Sequence, residues 1–196
     1  GQPNVGKSSL TNAILGTERV IVSDVAGTTR DAIDTPFVRK RKNYVVIDTA
    51  GIRKQGKIYE NAEKYSVLRA MKAIERAEIA LILLDGSKEV EEQDRRIAGY
   101  PLEANRGSII VVNKWDLVTK DDKSMNKYTE KIRNQFLYLS YAPICFVSAL
   151  NKSRLNQLFQ TIDTVYENYN RRVPTNVLNN VIFDATVLSQ APIFNG

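Results

Sequence analysis

The sequence opens with Gly1-Gln2-Pro3-Asn4-Val5-Gly6-Lys7-Ser8, followed by Ser9 and an apolar helical pattern that begins at Leu10. The two glycines and the Lys-Ser pair have the spacing of a phosphate-binding loop, G-x-x-x-x-G-K-[ST]. Glycines let such a loop point successive backbone N–H groups at phosphate oxygens, and the following helix adds the positive end of its dipole. The stretch therefore predicts that residues 1–9 bind nucleotide phosphates, with Lys7 at the β- and γ-phosphates and Ser8 as a Mg²⁺ ligand.

The rest of the chain has the pattern of a layered fold. Short apolar runs alternate with amphipathic helical patterns, which is typical of an α/β fold with a mostly parallel sheet. The predicted strands are 44–47, 79–84, 109–112 and 144–147, and the predicted helices are 7–15, 65–77, 91–105, 124–137 and 155–165. Residues 16–35 and 49–62 lack periodicity and are expected to be functional loops. Because no strand precedes Gly1, we expect a three-layer fold that lacks its first strand.

Residue composition excludes several kinds of chemistry. Histidine is absent and cysteine occurs once, at Cys145, among 196 residues. Ser-His-Asp and Cys-His catalysis and histidine-based zinc sites are therefore excluded. Cys145 lies in an apolar run and is expected to be a buried structural thiol. No apolar run has the length of a membrane span, so we expect no membrane partner.

Basic residues form local clusters. Lys and Arg outnumber Asp and Glu by 28 to 22, and the clusters lie at residues 39–42, 53–57 and 171–172. Two interpretations remain open from charge alone: a solvated, solubilising surface, or contact with a polyanion, RNA above all.

A domain boundary is predicted near Arg171-Arg172-Val173-Pro174. Beyond it, Thr175 can cap a helix that carries a broad apolar face. That face has no partner within the sequence, so we expect residues 171–196 to be a linker and the first helix of a further, truncated domain.

A second motif, Asp48-Thr49-Ala50-Gly51, directly follows a predicted strand. An acidic residue at such a strand end can hold the Mg²⁺ shell, as in P-loop NTPases. Gly51 allows a backbone N–H to approach the γ-phosphate. The alternative is a simple turn, since Asp and Gly favour turns anyway.

A third motif, Asn113-Lys114-Trp115-Asp116, indicates the base. The Asp116 carboxylate can accept hydrogen bonds from the ring N–H and the exocyclic amine of guanine, a donor pair that adenine lacks. Asn113 is expected to tie the loops together, and the Lys114 stem can lie along the base. Ser148-Ala149-Leu150, at another strand end, offers a backbone N–H to the guanine O6. The predicted ligands are therefore GTP and GDP.

The motif set resembles the translation-factor class of P-loop GTPases over residues 1 to about 170. The resemblance implies that Gly27-Thr28-Thr29-Arg30-Asp31 is the first switch loop, with Thr29 as a Mg²⁺ ligand and Thr28 beside the nucleotide. It implies a Mg²⁺ site of Ser8, Thr29 and Asp48, and catalytic roles for Lys7, Thr29 and Gly51. Residues 49–52, which include Thr49, Ala50 and Ile52, are expected to lie at the nucleotide.

Two positions predict an unusual hydrolysis mechanism. In Ras-like GTPases a glutamine after the Asp-x-x-Gly motif orients the attacking water, but this sequence has Ile52, which predicts slow unaided hydrolysis. Pro3 is expected to crowd the path of an arginine finger. In the subgroup with G-x-P-N-x-G-K-S, the asparagine helps to bind K⁺, so the resemblance implies a K⁺ site at Asn4 and residues 20–25. The alternative is that Asn4 only makes hydrogen bonds within its loop.

Longer strings resemble the second G domain of the bacterial tandem-GTPase family called Der or EngA, in the TrmE-Era-EngA group. The strings are 20–31, 48–54, 63–70, 113–116 and 173–184. The resemblance implies a G domain over residues 1–170 and the start of a KH-like domain over 171–196. It implies a monomeric, cytoplasmic, ribosome-associated GTPase that binds ribosomal RNA and acts in large-subunit assembly. Two alternatives stay open: the G domain of a tRNA-modification GTPase, and a GTP-binding scaffold with negligible hydrolysis.

Overall fold

The computed structural model describes residues 1–17, 20–22, 34–47, 62–118 and 124–188. The helices are α1 (Lys7–Leu15), α2 (Ala62–Arg76), α3 (Glu92–Glu103), α4 (Ser124–Gln135), α5 (Leu155–Tyr169) and α6 (Thr175–Leu188). The strands are β1 (Val20–Val22), β2 (Thr35–Arg39), β3 (Lys42–Val46), β4 (Ile79–Asp85), β5 (Gly107–Asn113) and β6 (Ile144–Phe146). The predicted helices and the four predicted strands are confirmed, with ends that differ by a few residues.

A three-stranded parallel sheet, in the order β4-β5-β6, forms the centre of the fold. Successive side chains of a strand point to opposite faces, and β5 follows this rule. Ile109 and Val111 pack in one core with Leu158 of α5, whereas Ile110 and Val112 pack in a second core with residues of α3 and α4. Both faces of the sheet are therefore covered by helices, which confirms the α/β class and explains the unbroken apolar strands.

The strands before this sheet are antiparallel, so the structure is less parallel than the sequence predicted. β1, β2 and β3 form a separate three-stranded sheet in that order. A two-residue turn joins β2 to β3, and its Lys40 and Arg41 have φ of 49° and 64°. Such short turns connect antiparallel strands only. β1 and β2 were not predicted, because β1 has three residues and Pro36 in β2 removes a backbone donor.

The β2–β3 hairpin is fastened to α5 by aromatic and polar contacts. Phe37 and Tyr44 stack at 5.1 Å and both meet the ring of Phe159 edge-on. The guanidinium of Arg39 lies 4.0 Å from the centre of the Phe159 ring. The Asp163 carboxylate accepts hydrogen bonds of 2.7 Å from Lys42 Nζ and Tyr44 Oη. The hairpin and α5 therefore form one packed unit.

Helix α6 has an exposed apolar face. Its exposed apolar side chains are Val177, Leu178, Val181, Ile182, Phe183 and Val187. The apolar face predicted after Thr175 is thus present, and its assignment to a KH-like domain stays a prediction. In the described part of the chain, no helix combines the length and the apolar character that crossing a membrane requires.

Candidate nucleotide-binding site

The loop of residues 1–6 presents unsatisfied backbone donors at the start of α1. Gly6 has φ of 94° and caps the helix without any side-chain hydrogen bond. Its carbonyl accepts from Leu10 N at 2.8 Å, which begins the helix. Within the described ranges, the N–H groups of Asn4, Val5 and Gly6 donate to no backbone acceptor. Free N–H groups at a helix N-terminus are suited to bind an anion.

Lys7 lies across the same loop. Its Nζ donates to the carbonyl oxygens of Gly1 at 2.9 Å and of Gln2 at 2.7 Å. Desolvation by the surrounding loop lowers the pKa of the Lys7 ammonium. A nearby phosphate would offset that desolvation, because an opposite charge favours the ionised form. The contact of Lys7 with the β- and γ-phosphates stays a prediction.

Both loop glycines stand where a Cβ would collide with the neighbouring strands. A Cβ on Gly1 would lie 2.4 Å from the carbonyl oxygen of Leu83 in β4, and one on Gly6 would lie 2.2 Å from Asn113 Nδ2. The glycines therefore bring the phosphate loop close to the carboxyl ends of β4 and β5, where ligands of α/β folds bind.

Asn113 joins three of the predicted site segments. Its side chain is 1% exposed. Nδ2 donates to the carbonyl of Val5 at 2.9 Å, and Oδ1 accepts from the N–H of Ala149 at 3.0 Å. The phosphate loop, the end of β5 and the turn after β6 are thus held together by one buried amide, as the sequence analysis expected.

The turn after β5 carries a buried carboxylate oxygen with no hydrogen-bond partner in the described part of the chain. Oδ1 of Asp116 is buried and accepts no hydrogen bond from any described residue. An unsatisfied buried acceptor is costly unless a ligand supplies the donor. This is the position that the sequence analysis assigned to recognition of the base.

The other predicted nucleotide-contact residues in the turns after β5 and β6 lie in two different environments. The Trp115 side chain is buried and packs against Phe146, with ring centroids 4.5 Å apart. In the turn after β6, Ser148 Oγ accepts from the N–H of Asn151 at 3.1 Å. Leu150 of the same turn is exposed. Trp115 therefore belongs to the hydrophobic core beneath the turn after β5. The turn at residues 148–150 lies beside Asn113.

Several predicted site residues lie outside the described residues. They are Thr28, Thr29, Asp48, Thr49, Ala50, Gly51 and Ile52. Of the predicted Mg²⁺ ligands only Ser8 is described, and it lies at the second position of α1, beside Lys7. Asn4, the predicted K⁺ ligand, has φ of 64° and is exposed. The described ranges contain no group of three or more Cys, Asp or Glu side chains that could hold a metal ion.

One site residue was missed by the sequence analysis. Asp85, the last residue of β4, accepts a 2.6 Å hydrogen bond from Lys114 Nζ. The sequence shows an acidic residue at a strand end there, but not that the strand end faces Lys114. That contact needs the register of β4 against β5, which pairs Asp85 with Asn113.

A phosphate-loop sequence joined through the buried Asn113 to the turns after β5 and β6, on the edge of a parallel sheet, defines a P-loop GTPase domain. A family model described as "50S ribosome-binding GTPase" matches residues 1–114. The chain belongs to this family of ribosome-binding GTPases.

Curated relatives are similar over the whole chain. The chain is 61% identical over 196 residues to GTPase Der of Geobacillus sp. (strain WCH70) and 56% identical to GTPase Der of Brevibacillus brevis. It covers 45% of the length of each of these relatives.

Two solved structures of Era share the fold. Aquifex aeolicus Era bound to GDP·AlF4⁻ is 26% identical with a TM-score of 0.63. Era in complex with MgGDPNP and a segment of 16S ribosomal RNA is 25% identical with a TM-score of 0.59. In both comparisons 89% of this chain and 56% of the Era chain are covered.

Proposed function

We propose that this chain binds guanine nucleotides and hydrolyses GTP. The observation that carries the proposal is the buried Oδ1 of Asp116, which has no hydrogen-bond partner among the described residues. Asp116 follows Asn113, whose amide holds the phosphate loop through the carbonyl of Val5. A guanine base placed between these groups would give Asp116 two N–H donors, and an adenine base would leave the carboxylate unsatisfied.

The base assignment is tested by Asp116→Asn. We expect the affinity for GDP to fall by about a hundredfold or more, because two hydrogen bonds to a charged group are lost. We also expect the variant to gain xanthosine diphosphate, whose extra carbonyl matches the asparagine amide. Asp184→Asn on the exposed α6 is the matched control and should bind GDP like the parent chain. Unchanged GDP affinity in Asp116→Asn would contradict guanine recognition by this residue.

Hydrolysis is proposed to depend on charge stabilisation around the γ-phosphate. Lys7 and the N–H groups before α1 would face the developing negative charge on a γ-phosphate bound by this loop. Mg²⁺, which Ser8, Thr29 and Asp48 would hold, offsets the charge of the β- and γ-phosphates. Ile52 cannot orient a water molecule through its side chain, so we expect slow turnover. Single-turnover hydrolysis distinguishes this enzyme from a scaffold that binds GTP without cleaving it.

A monovalent cation is proposed to assist the reaction at Asn4. Asn4 is exposed in the phosphate loop, where a bound γ-phosphate would carry the negative charge that a cation offsets. We expect faster GTP hydrolysis in KCl than in NaCl at equal ionic strength, and we expect Asn4→Ala to remove the difference. The ratio of the two rates is the readout, since the backbone strain of the variant affects both rates alike. Equal rates in the two salts with the parent chain would refute the K⁺ site.

The partner is proposed to be ribosomal RNA of the large subunit. The family description names 50S ribosome binding, which supports the large subunit. One similar Era structure contains a segment of 16S ribosomal RNA, which supports RNA as the kind of ligand. The basic cluster at residues 39–42 is only partly available, because Arg39 lies over Phe159 and Lys42 pairs with Asp163. Lys40 and Arg41 are exposed at the tip of the hairpin. These two cations are therefore the proposed RNA contacts.

The RNA contact is tested with Lys40→Asn/Arg41→Gly. Asn-Gly favours the left-handed turn that these positions adopt, so loss of binding cannot be attributed to loss of the hairpin. Binding to large ribosomal subunits is measured at several salt concentrations, and we expect the salt slope to fall by about two. Lys72→Ala/Arg96→Ala, at exposed positions of α2 and α3, is the control with the same charge change. An equal slope in both double variants would contradict a specific role of the hairpin tip.

A further inference from the structure

Asp85 is held in a fixed orientation at the end of β4. It is 8% exposed. Its Oδ1 accepts from the backbone N–H of Ser87 at 3.0 Å and from Ser87 Oγ at 2.6 Å. Two donors on one oxygen leave Oδ2 as the available acceptor, facing the end of β5.

That second oxygen binds the ammonium of Lys114. The distance from Nζ to Oδ2 is 2.6 Å, and the Lys114 side chain is 32% exposed. Burial by itself would raise the pKa of Asp85, but the hydrogen bonds from Lys114 and Ser87 outweigh it and hold the pKa below its usual value. The carboxylate is therefore ionised at neutral pH, and the pair is a charge-assisted hydrogen bond.

The surroundings make the pair rigid. Gly86 N donates to the carbonyl of Asn113 at 2.8 Å, which ties the end of β4 to the end of β5. Tyr128 Oη donates to the carbonyl of Lys88 at 3.1 Å and lies 3.4 Å from the carbonyl oxygen of Asp85. Lys114 itself has φ of 58°, a left-handed backbone conformation. Each end of the Lys114–Asp85 contact is thus attached to fixed backbone.

We propose that Asp85 is a positioning residue that holds the Lys114 side chain extended, so that its stem forms one wall of the nucleobase pocket. The proposal rests on the guanine-nucleotide function proposed above. A free lysine side chain has many rotamers, and ordering it when a ligand binds costs affinity. Asp85 removes that cost, because the ammonium is anchored before the base arrives.

The alternative is that Asp85 only stabilises the turn at residues 85–88. Removal of Asp85 would then harm binding whether or not Lys114 is present. A positioning role requires instead that the effect of Asp85 depends on Lys114. A double-mutant cycle separates the two possibilities.

The test measures the dissociation constant of N-methylanthraniloyl-GDP for the full chain and for Asp85→Asn, Lys114→Met and the double variant. We expect Asp85→Asn to weaken binding about tenfold in the parent and less than about twofold in the Lys114→Met background. Asp163→Asn, which breaks the comparable 2.7 Å pair with Lys42 on another face, is the matched control and should leave the affinity unchanged.

A second variant keeps the test decisive if Asp85→Asn does not fold. Ser87→Ala removes one of the two donors to Oδ1 but retains the charge of Asp85. We expect a loss of about two- to threefold that again disappears in the Lys114→Met background.

Three outcomes would overturn the proposal, and they are distinguishable. Equal losses in both backgrounds would assign Asp85 to the turn alone. Parent-like affinity in Asp85→Asn would remove any role for it in binding. A parent chain that binds no GDP would instead refute the guanine-nucleotide function, and the positioning role with it.

Discussion

Gly6 precedes α1 with φ of 94°, and a Cβ there would stand 2.2 Å from Asn113 Nδ2. An alanine at this position would suffer two separate penalties. The left-handed backbone costs a non-glycine residue about 1–2 kcal/mol. Displacement of the Asn113 amide would break its buried hydrogen bond to Val5, which costs about 1–3 kcal/mol. We therefore expect Gly6→Ala to lower the free energy of unfolding by about 2–5 kcal/mol.

Urea unfolding measures this change directly. With a denaturant slope of about 2 kcal/mol/M, the midpoint should fall by roughly 1–2.5 M. Gly99→Ala, in the interior of α3, is the matched control, since the nearest atom to its Cβ would be 3.9 Å away. That substitution should raise stability by about 0.5–1 kcal/mol, because alanine favours helix more than glycine does.

The two penalties can also be separated. In an Asn113→Ala background, the collision with Nδ2 and the hydrogen bond to the Val5 carbonyl are both absent. Gly6→Ala should then lower the free energy of unfolding only by the cost of the left-handed backbone, about 1–2 kcal/mol. The reasoning would be refuted by a cost below about 1 kcal/mol in the parent chain. It would equally be refuted by the same cost in both backgrounds, because the Gly6–Asn113 contact would then contribute nothing.

Three further predictions concern the rest of the fold. Asp163→Asn should destabilise the chain by about 1–2 kcal/mol in urea unfolding, because it weakens the hydrogen bonds from Lys42 and Tyr44 that fasten the hairpin to α5. Glu167→Gln, on the exposed side of α5, is the control and should change the stability little. Equal effects of the two substitutions would contradict this account. The pKa values of Asp85 and Asp163 are lowered in the folded state, mainly by hydrogen bonds that outweigh burial. Their stabilisation is therefore present above about pH 4 and is lost as the pH falls further, so urea midpoints at pH 6 and pH 3 should differ less in the Asp85→Asn/Asp163→Asn double variant than in the parent. Cys145 is 4% exposed and burial raises the pKa of its thiol, so a disulfide reagent should label it slowly in buffer and fast in urea; rapid labelling of the folded chain would show that β6 is accessible.

Much of the central fold could be predicted from the sequence, whereas the hairpin could not. β4 and β5 are unbroken apolar runs, and α5 has a regular apolar stripe, so local pattern alone indicates them. β1 has three residues, and its pairing with β2 is a tertiary choice that no local pattern encodes. Phe37 was missed as a core residue for the same reason, although it packs against Phe159 of α5.

The site divides in a similar way. Its nucleotide-binding residues could be proposed from sequence because each motif is short and contiguous. The spacing of Gly6 and Lys7, and the Asn113 to Asp116 string after a strand, predict which groups meet a nucleotide. The contacts that hold those groups in place, such as the one from Asp85 to Lys114, could not be predicted. The motif residues that lie outside the described ranges stay predictions from sequence.

By itself, the sequence determined the class of protein, because the motifs that define the class are short and contiguous. The ligand-facing residues stay predictions from the same motifs. Tertiary structure alone decided that Asp85 anchors Lys114, 29 residues away, and that Asn113 holds Val5 across 108 residues. It also decided that Lys42 of the basic cluster pairs with Asp163, 121 residues away. Contacts at such separations arise from strand register and helix packing, which no local spacing records.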